Sequence, residues 1–187
     1  MRVGPYVSRP AEFRSYEPVW AEVAAALTAA VRSAGPRLAA EHVGSTAVLG
    51  CGGKGIIDLA VLYPPGLLAR AKEALDAMGF QRQVGRDPFP ESRPMRVGTA
   101  DWEGREFRIH AHVIEAGCAE HAELIWFRER LRADAELRQR YQSAKQAILR
   151  RGVVDSYDYA MAKGEFVEAV LAEGPRASLA RKPRTRQ

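Results

Sequence analysis

The chain has 187 residues, of which 47% are apolar and 27% charged, so one compact domain with an ordinary soluble composition is expected. No apolar run approaches the ~20 residues that a transmembrane helix needs. Cys51 and Cys118 show neither metal-pair nor redox-motif spacing, and the N-terminal stretch lacks the apolar centre of a secretory signal. We therefore expect a cytoplasmic protein with both thiols free and no membrane partner.

The net charge of +5 arises from residues 175–187, which contain five basic residues and no acid. Residues 1–174 are therefore formally neutral and offer no basic face for a phosphate backbone, which argues against nucleic-acid binding. We expect one domain over residues 1–174 and a basic, disordered tail over 175–187.

The hydrophobic periodicity and the turn residues predict alternating strands and helices, followed by helices alone. The predicted helices cover 18–34, 67–78, 119–133, 134–151 and 156–172, and the predicted strands cover 37–43, 56–63, 80–84, 94–100 and 106–116. Residues 86–93 are predicted to be a surface loop, and 101–105 a hairpin loop longer than two residues. The fold class is therefore α/β (α+β): a mixed sheet of about five strands, with packed helices and a helical C-terminal third.

The first candidate site is the turn formed by Gly44, Ser45 and Thr46 between two predicted strands. Backbone N–H groups and hydroxyls at such a turn, at the start of a short helix, can bind phosphate. The alternative is an ordinary helix N-cap, for which Ser and Thr are common.

Asp58 lies inside the apolar segment 56–63, where an ionised carboxylate needs a metal, a cation or several hydrogen-bond donors. If the strand begins early, Lys54 shares the face of Asp58, so an internal ion pair is one interpretation. Coordination of a metal or a polar ligand is the other.

His110 and His112 occupy alternate positions of one predicted strand and therefore share a face. If that strand lies beside the strand of Asp58, the three side chains resemble a site of two histidines and one carboxylate for a transition metal. A partly exposed polar face is the alternative, and His42 is a further candidate for the cluster.

Lys163 and Arg128 each fall within the apolar stripe of a predicted helix. Each cation either binds an anion such as phosphate or extends past the core edge into solvent.

Several segments together resemble the GrpB family, whose fold belongs to the nucleotidyltransferase superfamily. The resemblance covers about residues 13–172 and rests on YEPVWAEV, EHVGSTAV, KGIIDLAV, RIHAHVIEAG, FRERLR and the final Tyr159, Lys163 and Phe166. It implies that Gly44 and Ser45 form a phosphate turn and that Asp58 is the first acid of a Mg²⁺ site. The second acid position holds Ala60, whose methyl group cannot bind a metal. Leu49 and the run from Cys51 to Gly53 also depart from the family pattern.

Three functions follow from these observations. The first is an enzyme that transfers a nucleotidyl or phosphoryl group. In this interpretation Asp58 binds Mg²⁺, and His110 and His112 either complete the metal coordination or orient the substrate. The phosphate groups are bound by Gly44, Ser45, Thr46, Lys54, Arg128 and Lys163. The second is a degenerate domain that binds a nucleotide or another anion, or a partner, without catalysis. The third is a transition-metal enzyme using Asp58, His110 and His112.

Overall fold

The computed structural model describes residues 1–35 and 37–174, so the predicted tail at 175–187 lies outside the described residues. The helices are α1 (Val19–Ala34), α2 (Leu68–Met78), α3 (Ala119–Ala133), α4 (Ala135–Arg150), α5 (Ser156–Ala162) and α6 (Gly164–Ala172). The strands are β1 (Ala39–Val43), β2 (Ile57–Tyr63), β3 (Gln81–Arg82), β4 (Met95–Trp102) and β5 (Arg105–Glu115). The predicted α/β class with a helical C-terminal third is confirmed.

The five strands form one mixed sheet in the order β1-β2-β5-β4-β3. Strands β2 and β5 are parallel, whereas the other neighbouring strands are antiparallel. The parallel pairing places Asp58 opposite His110 and Ala60 opposite His112. The adjacency that the metal hypothesis requires is therefore present.

The two faces of the sheet differ because side chains alternate along each strand. One face is apolar and packs against α1 and α2, with Leu59, Val61, Ile109 and Val113 at its centre. The other face of β2 and β5 carries Asp58, His110 and His112. The N-terminal segment and the C-terminal helices border this second face, since Tyr6 contacts His110 and Lys163 acts electrostatically on Asp58.

Two local predictions are wrong. The β4–β5 hairpin has a two-residue loop, Glu103 and Gly104, and both residues have positive φ, as a type I′ turn requires. The predicted helix over 156–172 is two helices that meet at Lys163, immediately before Gly164, a residue type that disfavours a helix interior.

Within the described part of the chain, no helix is long and apolar enough to span a bilayer.

Candidate functional site

The Gly44 turn and the Asp58 carboxylate lie against each other. Val43 at the end of β1 pairs with Asp58, so the chain leaves the sheet beside the acid. Gly44 has φ 70°, and a Cβ at this position would lie 2.5 Å from Oδ2 of Asp58. Glycine is required both for this backbone conformation and for the space that the carboxylate occupies.

Ser45 opens a single 3₁₀ turn, Ser45–Ala47, and its hydroxyl faces Gly53. A Cβ on Gly53 would lie 2.7 Å from Oγ of Ser45 and 3.1 Å from Nζ of Lys145. The hydroxyl and the ammonium therefore approach the same point. Gly53 is held there by two backbone hydrogen bonds with Arg14, so the glycine run after the turn is a region of close approach between chain segments.

Thr46 does not share this environment, although the sequence analysis predicted that it binds phosphate together with Gly44 and Ser45. Its side chain is 1% exposed, and its hydroxyl donates to the carbonyl of Ile56 (3.2 Å) and contacts Nε2 of His42 (2.9 Å). Burial, followed by Arg132 and Arg128, lowers the pKa of His42 to about 4, so the ring is neutral and Nε2–H donates to the Thr46 oxygen. The Thr46 hydroxyl is thereby engaged within the protein.

Asp58 is part of a polar chain that crosses β5. Its Oδ1 lies 3.7 Å from Nδ1 of His110, and Nε2 of His110 lies 3.0 Å from the Tyr6 hydroxyl. Burial raises the pKa of Tyr6, and the nearby Arg108 guanidinium opposes that rise. With a cation beside its oxygen, the Tyr6 hydroxyl is placed to donate to Nε2, which leaves the Nδ1–H of His110 facing Asp58.

Burial disfavours the charged form of both histidines of β5. Burial is the main cause that lowers the pKa of His110 well below its usual value, and Lys54 adds to it. Burial also lowers the pKa of His112, against the opposing effects of Asp58 and Glu120. His112 packs edge-on against Phe89, with 5.9 Å between the ring centroids. The His110 ring therefore acts here as a hydrogen-bonding group, and the His112 ring makes an aromatic contact.

Three lysines act electrostatically on Asp58, and we call Lys54, Lys145 and Lys163 the lysine cluster. Burial raises the pKa of Asp58, while His112 and each of these lysines lower it. The pKa of Lys54 and that of Lys145 are lowered to about 8, mainly by burial and in part by the charge of Lys163. The predicted internal ion pair of Lys54 with Asp58 is not formed, because β2 begins only at Ile57 and Nζ of Lys54 lies over the Tyr159 ring, 5.1 Å from its centroid.

Arg128 and His42 lie elsewhere. Arg128 donates to the carbonyl of His42 (2.9 Å) at the outer edge of β1 and pairs with Glu129 (2.7 Å), so it covers an edge strand. His42 pairs with Leu59 and shares the α1 face of the sheet, opposite to the face of Asp58. The structure thus brings together Gly44, Ser45, Lys54, Asp58, His110, His112 and Lys163, and it leaves Arg128, Thr46 and His42 outside this group.

The arrangement does not fit a metal centre. Among residues 1–35 and 37–174, no group of three or more His, Cys, Asp or Glu side chains is arranged to hold a metal ion. Ala60, at the second acid position, is fully buried in an apolar cluster with Val43, Leu62 and Ile114. Asp58 supplies the carboxylate that contacts the Gly44 turn, and the lysine cluster raises the local positive potential, which opposes a divalent cation.

Lys145 and Tyr6 belong to the site, but the sequence interpretation missed both. Lys145 follows Tyr141 by four residues and precedes Ile148 by three, so it lies in the apolar stripe of α4 in the way that Lys163 was recognised to do. That spacing could have identified it. Tyr6 lies in a segment without periodicity, and nothing in its sequence context indicates contact with His110.

Two surface cavities lie away from this group. A cavity of about 690 Å³ lies between α4, α5 and α6, where Ile148 and Phe166 contribute to its wall. A hollow of about 280 Å³ lies at the β1 edge beside Arg32, Arg128 and Arg132. The Asp58 side chain is 28% exposed and that of His110 is 20% exposed, so both reach solvent; we call the surface bordered by residues 44–58 the cleft.

The fold is similar to that of two solved RNA-extending enzymes. A cytoplasmic RNA terminal U-transferase matches with a TM-score of 0.53 at 16% identity, over 79% of this chain and 47% of that one. The Cid1 poly(U) polymerase matches with a TM-score of 0.51 at 17% identity, over 73% and 43% respectively. At these sequence identities, the similarity is evidence of a shared fold alone. The chain spans less than half of either enzyme.

Within that fold class the chain belongs to the GrpB family, because the family model described as GrpB protein matches residues 10–173. The crystal structure of the conserved protein GrpB from Enterococcus faecalis is similar with a TM-score of 0.70 at 20% identity, over 90% of this chain and 99% of that one. The UPF0157 protein SCO7215 of Streptomyces coelicolor is 33% identical over 145 residues, 76% of this chain and 70% of the relative. The UPF0157 protein PA4798 of Pseudomonas aeruginosa is 34% identical over 158 residues, 83% and 64% respectively.

Proposed function

We propose that the cleft bordered by residues 44–58 binds the phosphate groups of a nucleotide or of a similar small phosphate-bearing molecule. The observation that carries this proposal is the charge around the Gly44 turn. Three lysines act on the single carboxylate of Asp58. Positive charge in partly buried surroundings is costly without a counter-ion, and a phosphate group supplies one together with several hydrogen-bond acceptors.

The Ser45 hydroxyl adds a neutral donor at the same place. It lies close to Nζ of Lys145, because both atoms pack against Gly53, which has no side chain. Backbone close to a hydroxyl and an ammonium is a common arrangement for an oxyanion. Asp58 then has the role of orienting neighbouring donors rather than of binding the anion.

The nucleotide class is supported by the fold relatives. A solved structure of Cid1 contains the UTP analogue UMPNPP, and the match covers 73% of this chain with a TM-score of 0.51. A nucleotide ligand for this chain rests on that likeness together with the cationic cleft.

Transfer of a nucleotidyl or phosphoryl group is the second candidate function. The observation that favours it is the chain from Tyr6 through His110 to Asp58, which orients a carboxylate toward the Gly44 turn. A carboxylate so placed can accept the proton of an acceptor hydroxyl. Consumption of ATP or UTP with small hydroxyl acceptors, followed by ³¹P NMR, tests this candidate, and Asp58→Asn should abolish any turnover.

Binding itself is tested by calorimetric titration of the purified protein with ATP, UTP, GTP, CTP and inorganic phosphate. Loss of one hydrogen bond to a charged group should weaken binding about 10- to 100-fold in Ser45→Ala. Ser33→Ala is the matched control, because Ser33 is exposed on α1 and its hydroxyl donates only to Ala29. Absence of binding by every compound at millimolar concentration, with the wild-type protein folded, would refute the proposed function.

A further inference from the structure

The buried position of Lys145 requires a separate explanation. Its side chain is 2% exposed, and its ammonium donates to the carbonyl of Gly52 and lies 4.2 Å above the Tyr141 ring. Among the described residues no carboxylate forms an ion pair with it, and Sγ of Cys51 is 3.9 Å away. A buried ammonium with so few partners destabilises the free protein, so a functional reason for its retention is expected.

The position of the ammonium supplies that reason. Nζ of Lys145 and Oγ of Ser45 approach the same point beside Gly53, as the short distances from a Gly53 Cβ show. Lys54 and Lys163 act on the same Asp58 carboxylate as Lys145 does. Lys145 therefore places a positive charge beside the Ser45 hydroxyl at the Gly44 turn.

A divalent metal would have to enter this positively charged space with Asp58 as its main ligand. Ala60 lies in an apolar cluster and offers no second carboxylate. His110 is already engaged by Tyr6, and His112 packs against Phe89. Magnesium prefers several oxygen ligands in a regular octahedron, and the side chains present do not provide them.

We propose that the cleft binds its phosphate ligand without a divalent cation, and that the ammonium of Lys145 takes the place of the metal as the buried counter-charge. Lys54 and Lys163 complete the charge balance from the more exposed side. The ligand class is a free di- or triphosphate, or a phosphate monoester, rather than a magnesium complex. This inference rests on the proposed phosphate-binding function and specifies how that function is achieved.

The test is titration calorimetry with pyrophosphate and with ATP, each in EDTA and in excess MgCl₂. The expected result is binding in EDTA that is at least as tight as in MgCl₂, because magnesium neutralises part of the ligand charge that the lysines bind. Lys145→Met, which keeps the length of the side chain and removes its charge, should weaken binding in EDTA by about 10- to 100-fold.

Two controls separate the outcomes. Lys72→Met removes a lysine of α2 that pairs with Glu91, and it should leave affinity unchanged. The melting temperature of Lys145→Met should equal or exceed that of the wild type, since a buried charge has been removed, and this shows that the variant is folded.

The possible failures are also distinct. Binding of either probe that requires MgCl₂ would overturn the metal-free inference while leaving the proposed function intact. Undiminished binding by a folded Lys145→Met variant would overturn the role of Lys145. No binding of either probe under any condition would overturn the proposed function and the inference together.

Discussion

The carboxylate of Asp58 occupies the space that a side chain on Gly44 would fill, since a Cβ there would lie 2.5 Å from Oδ2. The end of β1 and the acid of β2 are joined by this contact, because Val43 and Asp58 are direct partners in the sheet. The Gly44 turn, which we propose binds phosphate, and the Asp58 carboxylate are therefore coupled through one glycine.

The substitution Gly44→Ala should disrupt this contact. It places an alanine at φ 70° and ψ −169°, a conformation essentially restricted to glycine that costs about 1–3 kcal/mol, and it displaces Asp58 in addition. Urea denaturation should show a larger loss of stability than the backbone cost alone, and calorimetry should show loss of phosphate binding.

The matched control for that experiment is Gly50→Ala. Gly50 has φ 73°, and a Cβ there meets nothing within 4 Å, so only the backbone cost applies. Equal losses of stability and affinity in the two variants would contradict the coupling of Gly44 to Asp58.

Thr46→Val should separate folding from binding. The buried hydroxyl contacts Ile56 and His42, and its removal leaves two buried polar groups without a partner. We expect a loss of about 1–3 kcal/mol for each such group in chemical denaturation, with unchanged affinity for phosphate in the folded protein. A Thr46→Val protein with native stability and weakened affinity would show instead that this hydroxyl binds the ligand.

The pKa values of Lys54 and Lys145, both about 8 in the folded protein against an ordinary 10.5, predict opposite pH effects on stability and on binding. Between pH 8 and 10.5 the unfolded chain holds protons that the folded protein has released, so these lysines favour folding increasingly as pH rises. Phosphate affinity should fall over the same range, because the ammonium groups lose their charge.

Denaturation and calorimetry at pH 7, 8 and 9.5 measure both effects. The stability difference between Lys145→Met and the wild type should shrink as pH increases, since the wild type loses the buried charge by deprotonation. A pH-independent difference, together with unchanged phosphate affinity at pH 9.5, would be incompatible with charged lysines as the binding groups.

Ala60→Asp restores an acid at the second position of the fold class. Because Ala60 is fully buried beside Val43 and Leu62, the new carboxylate should destabilise the protein by on the order of 3 kcal/mol without creating a magnesium site. Melting curves with and without MgCl₂ test this, with Ala60→Asn as the control for size. A rise in melting temperature with MgCl₂ that is specific to Ala60→Asp would indicate a metal site that lacks only one ligand.

Much of the fold is readable from local patterns. The apolar stripe of α1, the Gly79 cap of α2 and the alternation in β5 follow from spacing alone, and they are present. The loop of the β4–β5 hairpin was not readable in the same way, because Glu103 adopts a positive φ that glutamate seldom takes.

The site could be predicted only in part, because its residues are far apart in the sequence. Asp58 and His110 are brought together by the pairing of β2 with β5, and pairing between remote strands is not fixed by local sequence. Lys145 contacts Cys51 and Gly52 from a helix more than 90 residues away. Arg128 is the reverse case. Its position on an apolar helix face followed from the spacing, but its guanidinium donates to the backbone carbonyl of His42 at the edge of β1.

The central claim is that a phosphate group binds between the Gly44 turn and Lys145. The most direct measurement is a crystal structure of the protein with pyrophosphate, grown in EDTA. The account predicts phosphate oxygens within hydrogen-bond distance of Oγ of Ser45 and Nζ of Lys145. Pyrophosphate bound instead in the hollow beside Arg32, Arg128 and Arg132, with the Ser45 site empty, would contradict it.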